Sequence, residues 1–135
     1  MIRLGRKEDL PQIDAFDLFG GDRAQEIING CLRVYLAENQ IVGYVTAIEE
    51  SCLCGHPLVS FLCIDPEYRR RGIASALLAK LEEQYKTRKL FISTESNNSI
   101  MLSFIEQRNY LKAGTLAQIN DDGSDEVYFY RSASN

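Results

Sequence analysis

The sequence predicts a single α+β domain over residues 1–135, a mixed sheet with helices on its faces. Three observations predict it. Short segments with helical spacing open the chain. The apolar period then falls from about 3.6 to 2 residues across "RVYLAENQIVGYVTAIEE". Finally, a near-continuous apolar run, "LVSFLCI", gives way to a long helical repeat. A chain of 135 residues can bury a core without disulfide or metal staples.

The elements follow in order. "IRL" reads as a short strand. "EDLPQIDAF" reads as a helix, with Asp9 as N-cap, Pro11 in the first turn and Leu10, Ile13 and Phe16 along its apolar edge. "FGG" breaks it, and a second helix is expected from Asp22 with Ile27, Ile28 and Cys31 on its apolar side. Two strands rich in Val, Ile and Tyr then turn at Glu38-Asn39-Gln40. Residues 58–64 read as a central strand buried on both faces and ended by Asp65-Pro66. Ile73, Leu77, Leu81 and Tyr85 recur every four residues as a helix. "KLFIST" is a further buried strand. "NSIMLSFIEQRNY" is a helix with Ile100, Phe104 and Ile105 inward. "KAGTLAQIN" and "EVYFYRS" form a closing hairpin across "DDGSD".

Composition narrows the function. The apolar fraction is 45% and no window approaches a membrane span. The N-terminus lacks a signal-peptide apolar run, so a cytoplasmic protein is expected, with its four cysteines as thiols. "CLCGH" falls short of a structural zinc set, and His56 is the lone histidine, so no metal is expected. Net charge is −4, yet residues 68–89 carry +5 and the remainder −9. A local basic focus in an acidic chain favours a small anionic ligand over nucleic acid, which wants a broad basic face.

That focus is "YRRRGIAS". A strand, a short turn and a glycine lead into a helix whose first amides have no internal partner and whose dipole places about half a positive charge there. Gly72 and Ala74 let a ligand approach the backbone, and arginines at the rim add charge-assisted bonds. The pattern reads as a diphosphate cradle.

Residues 62–75, "LCIDPEYRRRGIAS", closely resemble the acetyl-CoA motif of the GNAT N-acetyltransferase superfamily: a strand, D-P-x-[YF], then [QR]-x-x-G-x-[GA] opening a helix. Arg69, Gly72 and Ala74 fill the defining positions. "SNNSIMLSFIEQRNY" resembles the family's later asparagine-to-aromatic segment, with Asn98 and Tyr110 at its ends. The resemblance covers nearly all of the chain. It implies the acyl-CoA N-acyltransferase fold, a mixed, mostly antiparallel twisted sheet with helices on both faces. It implies acetyl-CoA as the acetyl donor and a primary amine of a small molecule or peptide as acceptor, attacked without a covalent enzyme intermediate. Amides from Arg70 to Ser75 (Arg70, Arg71, Gly72, Ile73, Ala74, Ser75) would hold the pyrophosphate. Leu62, Cys63 and Ile64 would pair with pantetheine, and Asn98 would meet the cofactor near the thioester. The expected assembly is a monomer or homodimer with no nucleic-acid or membrane partner.

The departures define the open chemistry. The family's general-acid tyrosine corresponds here to Ile105, which cannot donate a proton. Tyr110, Tyr35 and Tyr44 are candidate substitutes, and loss of the acid also permits a non-catalytic module that binds or senses acetyl-CoA or CoA. Asn109 stands where the family has glycine, and asparagine tolerates the positive φ required. The family's strand carboxylate corresponds to Ser93; Glu95, two residues on, shares its face and is the candidate base. It reads equally as a solvated strand-end carboxylate. Glu126 is the candidate substrate-binding carboxylate, or a turn-flanking surface charge.

Overall fold

The computed structural model describes residues 1–134, which form seven strands and four α-helices. They divide into two compact units, Met1–Glu49 with Val59–Gln84, and Glu50–Leu58 with residues 85–134.

The first unit holds β1 (Ile2–Leu4), α1 (Leu10–Asp14), α2 (Arg23–Ile28), β2 (Leu32–Ala37), β3 (Gln40–Ile48), nearly all of β4 (Leu58–Ile64), and α3 (Ile73–Gln84). Its strands follow the order β1-β2-β3-β4, with β1–β2 and β2–β3 antiparallel. Glu38 and Asn39 both take positive φ (53 and 65), the two-residue loop whose twist suits a hairpin. Ile13, Phe16, Leu32, Val34, Ile41, Tyr44 and Cys63 make one core, with Ile27, Leu36 and Phe61 against it. Helix α3 buries Ile73, Leu77, Leu78 and Leu81 against β2 and β3. Gly43 on β3 permits this approach: a Cβ there would stand 2.8 Å from Ile64 Cδ1 and 3.3 Å from Ile73 Cγ2. A glycine therefore fixes where α3 begins.

Three local expectations change. Asp9 does not cap α1 with its side chain; a 3₁₀ turn at Lys7–Asp9 comes first, and the carboxylate accepts from the Arg6 amide (2.8 Å) and both Arg3 guanidinium nitrogens. Ile28 is 76% exposed, because α2 has six residues and its buried one is Arg23. Asp22 does cap α2, accepting from the Gln25 amide at 3.0 Å. Strand β4 is not buried on both faces: Val59 and Cys63 are buried and the other five residues are half-exposed.

The second unit holds β5 (Leu90–Glu95), α4 (Ser99–Gln107), β6 (Leu111–Leu116) and β7 (Glu126–Arg131). Strand β7 lies between β5 and β6, antiparallel to both. Leu90, Ile92 and Thr94 alternate inward with Val127 and Phe129, leaving Phe91, Ser93, Glu95, Glu126, Tyr128 and Tyr130 on a half-exposed face. In α4, Ile105 is fully buried while Ile100, expected inward, is 83% exposed. Five residues separate the two, about 140° around a helix, so both cannot face the core.

Candidate functional site

Strand β4, the short turn and the start of α3 fall where the sequence reading expects them. Asp65 ends β4, accepts from the Glu67 amide at 3.0 Å and starts a 3₁₀ turn over Pro66–Tyr68. Arg70 (φ 64) and Gly72 (φ 77) are both left-handed, which curls the backbone into α3. The first intrahelical bond runs from the Ala76 amide to the Gly72 carbonyl at 3.0 Å, so the amides of Ile73 and Ala74 precede the ladder. Arg69, Arg70, Arg71 and Gly72 are exposed, and a Cβ built on Gly72 meets nothing within 4 Å. Arg71 stacks over the Tyr68 ring at 4.8 Å. The result is an open, basic turn at the head of a twelve-residue helix. Leu62, Cys63 and Ile64 lead into it on β4; Leu62 and Ile64 are half-exposed, and Cys63 is buried with its thiol pushed up by burial.

Sequence reasoning missed the group packed on the same strand. Arg23 is 5% exposed and lies over the rings of Phe61 (4.3 Å) and Tyr44 (5.2 Å). It donates to Tyr44 Oη at 2.7 Å and to the Gly20 carbonyl, and its Nε is 3.0 Å from Glu26 Oε1. Tyr44 Oη in turn donates to Asp17 at 2.6 Å. Burial, reinforced by Asp17, pushes the Tyr44 phenol well above the ordinary tyrosine range. Tyr44 is fully buried and its hydroxyl is committed to Asp17 and Arg23, which makes it a structural hydroxyl. Nothing in "GGDR" marks this network, because its arginine reads as surface charge until α2 turns it inward.

The second unit carries the remaining candidates. Glu95 and Glu126 are directly opposed across β5 and β7. Glu126 Oε2 accepts from Ser93 Oγ at 2.6 Å and Oε1 from Asn120 Nδ2 at 3.1 Å; Glu95 accepts from Thr94 Oγ1 at 3.1 Å. Asn98 caps α4, its side-chain oxygen accepting from the Met101 amide at 3.1 Å, which leaves its amide nitrogen as the group able to meet a ligand. Glu95 and Asn98 also line a shallow open depression of about 500 Å³ with Asn97, Ser99, Ile100 and Asp122. Among the described residues no three His, Cys, Asp or Glu side chains are grouped to hold a metal ion, and no helix is long and apolar enough to cross a membrane.

The family model described as the acetyltransferase (GNAT) family matches residues 6–110. The chain belongs to the GNAT acetyltransferase family. No curated protein matches the sequence. Among solved structures, a GNAT-family acetyltransferase from Bacillus cereus ATCC 10987 is 25% identical, with TM-score 0.86 over 100% of this chain and 98% of that one. A ribosomal-protein-alanine N-acetyltransferase from Brucella melitensis is 23% identical, with TM-score 0.81 over 98% and 99%. A NatB acetyltransferase complex bound to CoA and MES is 20% identical, with TM-score 0.84 over 99% of each chain. The fold is therefore that of the GNAT acetyltransferases. Ile105, the α4 residue that the sequence resemblance sets against a general-acid tyrosine, is fully buried.

Proposed function

We propose that the protein moves the acetyl group of acetyl-CoA directly to a primary amine of a small molecule or peptide. The observation that carries this reading is the α3 N-terminus, with open space at Gly72, two left-handed residues and three exposed arginines. Backbone amides and a helix dipole favour an anion, and arginines add charge-assisted bonds suited to a pyrophosphate. In this reading amides from Arg70 to Ser75 hold the pyrophosphate, with Arg69 at the rim. Leu62, Cys63 and Ile64 give backbone partners to pantetheine, and Asn98 meets the cofactor near the thioester. The CoA-bound NatB neighbour supports the donor, and the ribosomal-protein-alanine N-acetyltransferase supports an amine acceptor.

Glu95 takes the ammonium proton and Glu126 binds the cationic acceptor. Carboxylates directly opposed across a strand pair repel one another, and an ammonium placed with them relieves that repulsion. A second reading is favoured by one observation. Ile105 is fully buried and cannot protonate a leaving thiolate, which suits a module that binds acetyl-CoA or CoA without turnover.

Calorimetric titration with acetyl-CoA and CoA, followed by an amine screen for thiol release, separates the readings. Micromolar binding with amine-dependent release of CoA is the expected result. Binding without release across a broad panel selects the sensing module. No binding at millimolar ligand overturns both.

A further inference from the structure

We propose that Tyr128 is the general acid of the transfer, with Ser93 as its positioning residue; the inference rests on the function proposed above. An acid and a base serving one acyl transfer act on atoms bonded to the same carbonyl carbon, so both must open onto the same space. Glu95 is the proposed base, and the face it shares is formed by Phe91 and Ser93 on β5 and Glu126, Tyr128 and Tyr130 on β7. Two of the seven tyrosines lie on that face.

Tyr130 is opposed to Phe91, with ring centroids 6.0 Å apart, and Lys89 Nζ sits 5.0 Å from its ring. Tyr128 is instead directly opposed to Ser93, whose hydroxyl donates to Glu126 Oε2 at 2.6 Å. Tyr128 is half-buried, so it remains reachable from the face it shares with Glu95. The other tyrosines are elsewhere. Tyr44 is committed to Asp17 and Arg23, Tyr68 lies under Arg71, Tyr85 and Tyr110 are 5% exposed, and Tyr35 is on β2 opposite Ile2 and Gly43.

Burial first, then the negative charge of Glu126, pushes the Tyr128 phenol above the ordinary tyrosine range. It therefore stays protonated throughout the working pH range. The charged or titratable groups facing it are Glu126 on its own strand, Glu95 on β5 and Cys52 in the 50–58 loop. A cationic acceptor bound at Glu126 offsets part of that negative charge. The phenol then becomes a better acid when acceptor is present.

The protons balance. The ammonium gives one proton to Glu95. The nitrogen lone pair forms the N–C bond, the C–S bond breaks with its electron pair on sulfur, and the Tyr128 proton goes to that sulfur. The new amide nitrogen sheds a second proton to water, and Glu95 releases the first. The Tyr128 phenolate recovers one of the two, and one proton leaves the reaction overall.

The test compares wild type with Tyr128→Phe, using acetyl-CoA and acetyl-selenocoenzyme A as donors. The acceptor is the amine found in the screen, or water if hydrolysis is the faster reaction. A selenolate leaves without protonation. Loss of about 100-fold in kcat with the thioester and less than about tenfold with the selenoester is expected. Equal loss with both donors, or loss below about threefold with the thioester, overturns the assignment. Ser93→Ala lowers kcat with KM held, and Ser93→Thr restores it; a matched fall in both Ser93 variants overturns the positioning role. A readout without donor is ultraviolet difference titration of the phenolate. The signal absent in Tyr128→Phe should titrate above the usual value of about 10 and move down in Glu126→Gln. An unmoved midpoint in Glu126→Gln overturns the charge coupling. If wild type binds acetyl-CoA by calorimetry but never turns over, the acid assignment falls and the cradle stands. If it does not bind, both fall.

Discussion

The head of α3 and the face of β5 and β7, the two regions to which the proposed function assigns work, are built from different parts of the chain. At α3 the candidate contacts are backbone amides and neighbouring arginines within residues 69–75, shaped by Arg70 and Gly72 in left-handed geometry. On the β5–β7 face the candidates are side chains, Ser93, Glu95, Glu126 and Tyr128, brought together only by strand register. A cradle made of backbone is local and indifferent to most side chains. A proton-handling surface is non-local, and each group depends on its neighbour's hydrogen bond. The two regions should therefore respond to substitution in opposite ways.

The largest expected effect falls on the cradle. Gly72→Glu sets a carboxylate where the pyrophosphate is proposed to lie and also forces a β-carbon onto φ 77. Calorimetry should show acetyl-CoA affinity reduced by more than about 100-fold, roughly 3 kcal/mol. A Cβ there meets nothing within 4 Å, so the fold should survive with a cooperative melt. Retained micromolar affinity in a folded Gly72→Glu protein would sink the cradle.

A second contrast separates groups that hold the scaffold from groups that serve the ligand. Asp9 accepts from Arg3 at 2.7 and 2.9 Å and from the Arg6 amide, and these bonds hold its carboxyl below the usual range, the Arg3 bond most of all. A carboxylate with a depressed native pKa adds stability that is complete above its unfolded value of about 3.9 and is lost as pH falls through the native value. Asp9→Asn should cost about 1–3 kcal/mol at neutral pH, shrinking toward zero in strong acid. Glu26 has the opposite sign: burial raises its carboxyl, so its contribution is present below the unfolded pKa and is lost as pH rises through the native one. Thermal melts across the acid range would show both slopes, and acetyl-CoA affinity per folded Asp9→Asn molecule should be unchanged.

The same division explains what was legible in the sequence. The "RRRGIAS" turn was readable because the proposed cradle needs only a glycine, basic neighbours and a helix start, all within one short stretch. Strand β4 and the cap at Asp22 were readable for similar local reasons. Arg23 was not, because nothing in "GGDR" signals that α2 will press its guanidinium onto Phe61 and Tyr44. Tyr128 was hidden for the same reason. Its partner Ser93 is 35 residues away in sequence and meets it only through the β5–β7 register. Ser93 looked like a lost carboxylate; in the fold, Glu126 brings a carboxylate back to its hydroxyl from the neighbouring strand.

Two serines test that division most directly. Ser75 stands in the cradle, where the proposed contact is its amide, so Ser75→Ala should change acetyl-CoA affinity by less than about twofold. Ser93 stands on the β5 face, where the proposed contact is its hydroxyl. Ser93→Ala removes a short bond to a carboxylate, worth about 1.5 kcal/mol or more, and should lower kcat about tenfold. Neither change introduces a new charge or a larger side chain, so Ser75→Ala should melt close to wild type and Ser93→Ala should lose only the few degrees that one such bond is worth. The pair is informative through its asymmetry. A large binding loss in Ser75→Ala would mean the cradle recognises its anion through a hydroxyl and not through the helix terminus. An unaffected kcat in Ser93→Ala would mean that Glu126 is fixed well enough by Asn120 alone, and that the β5 hydroxyl takes no part in orienting Tyr128.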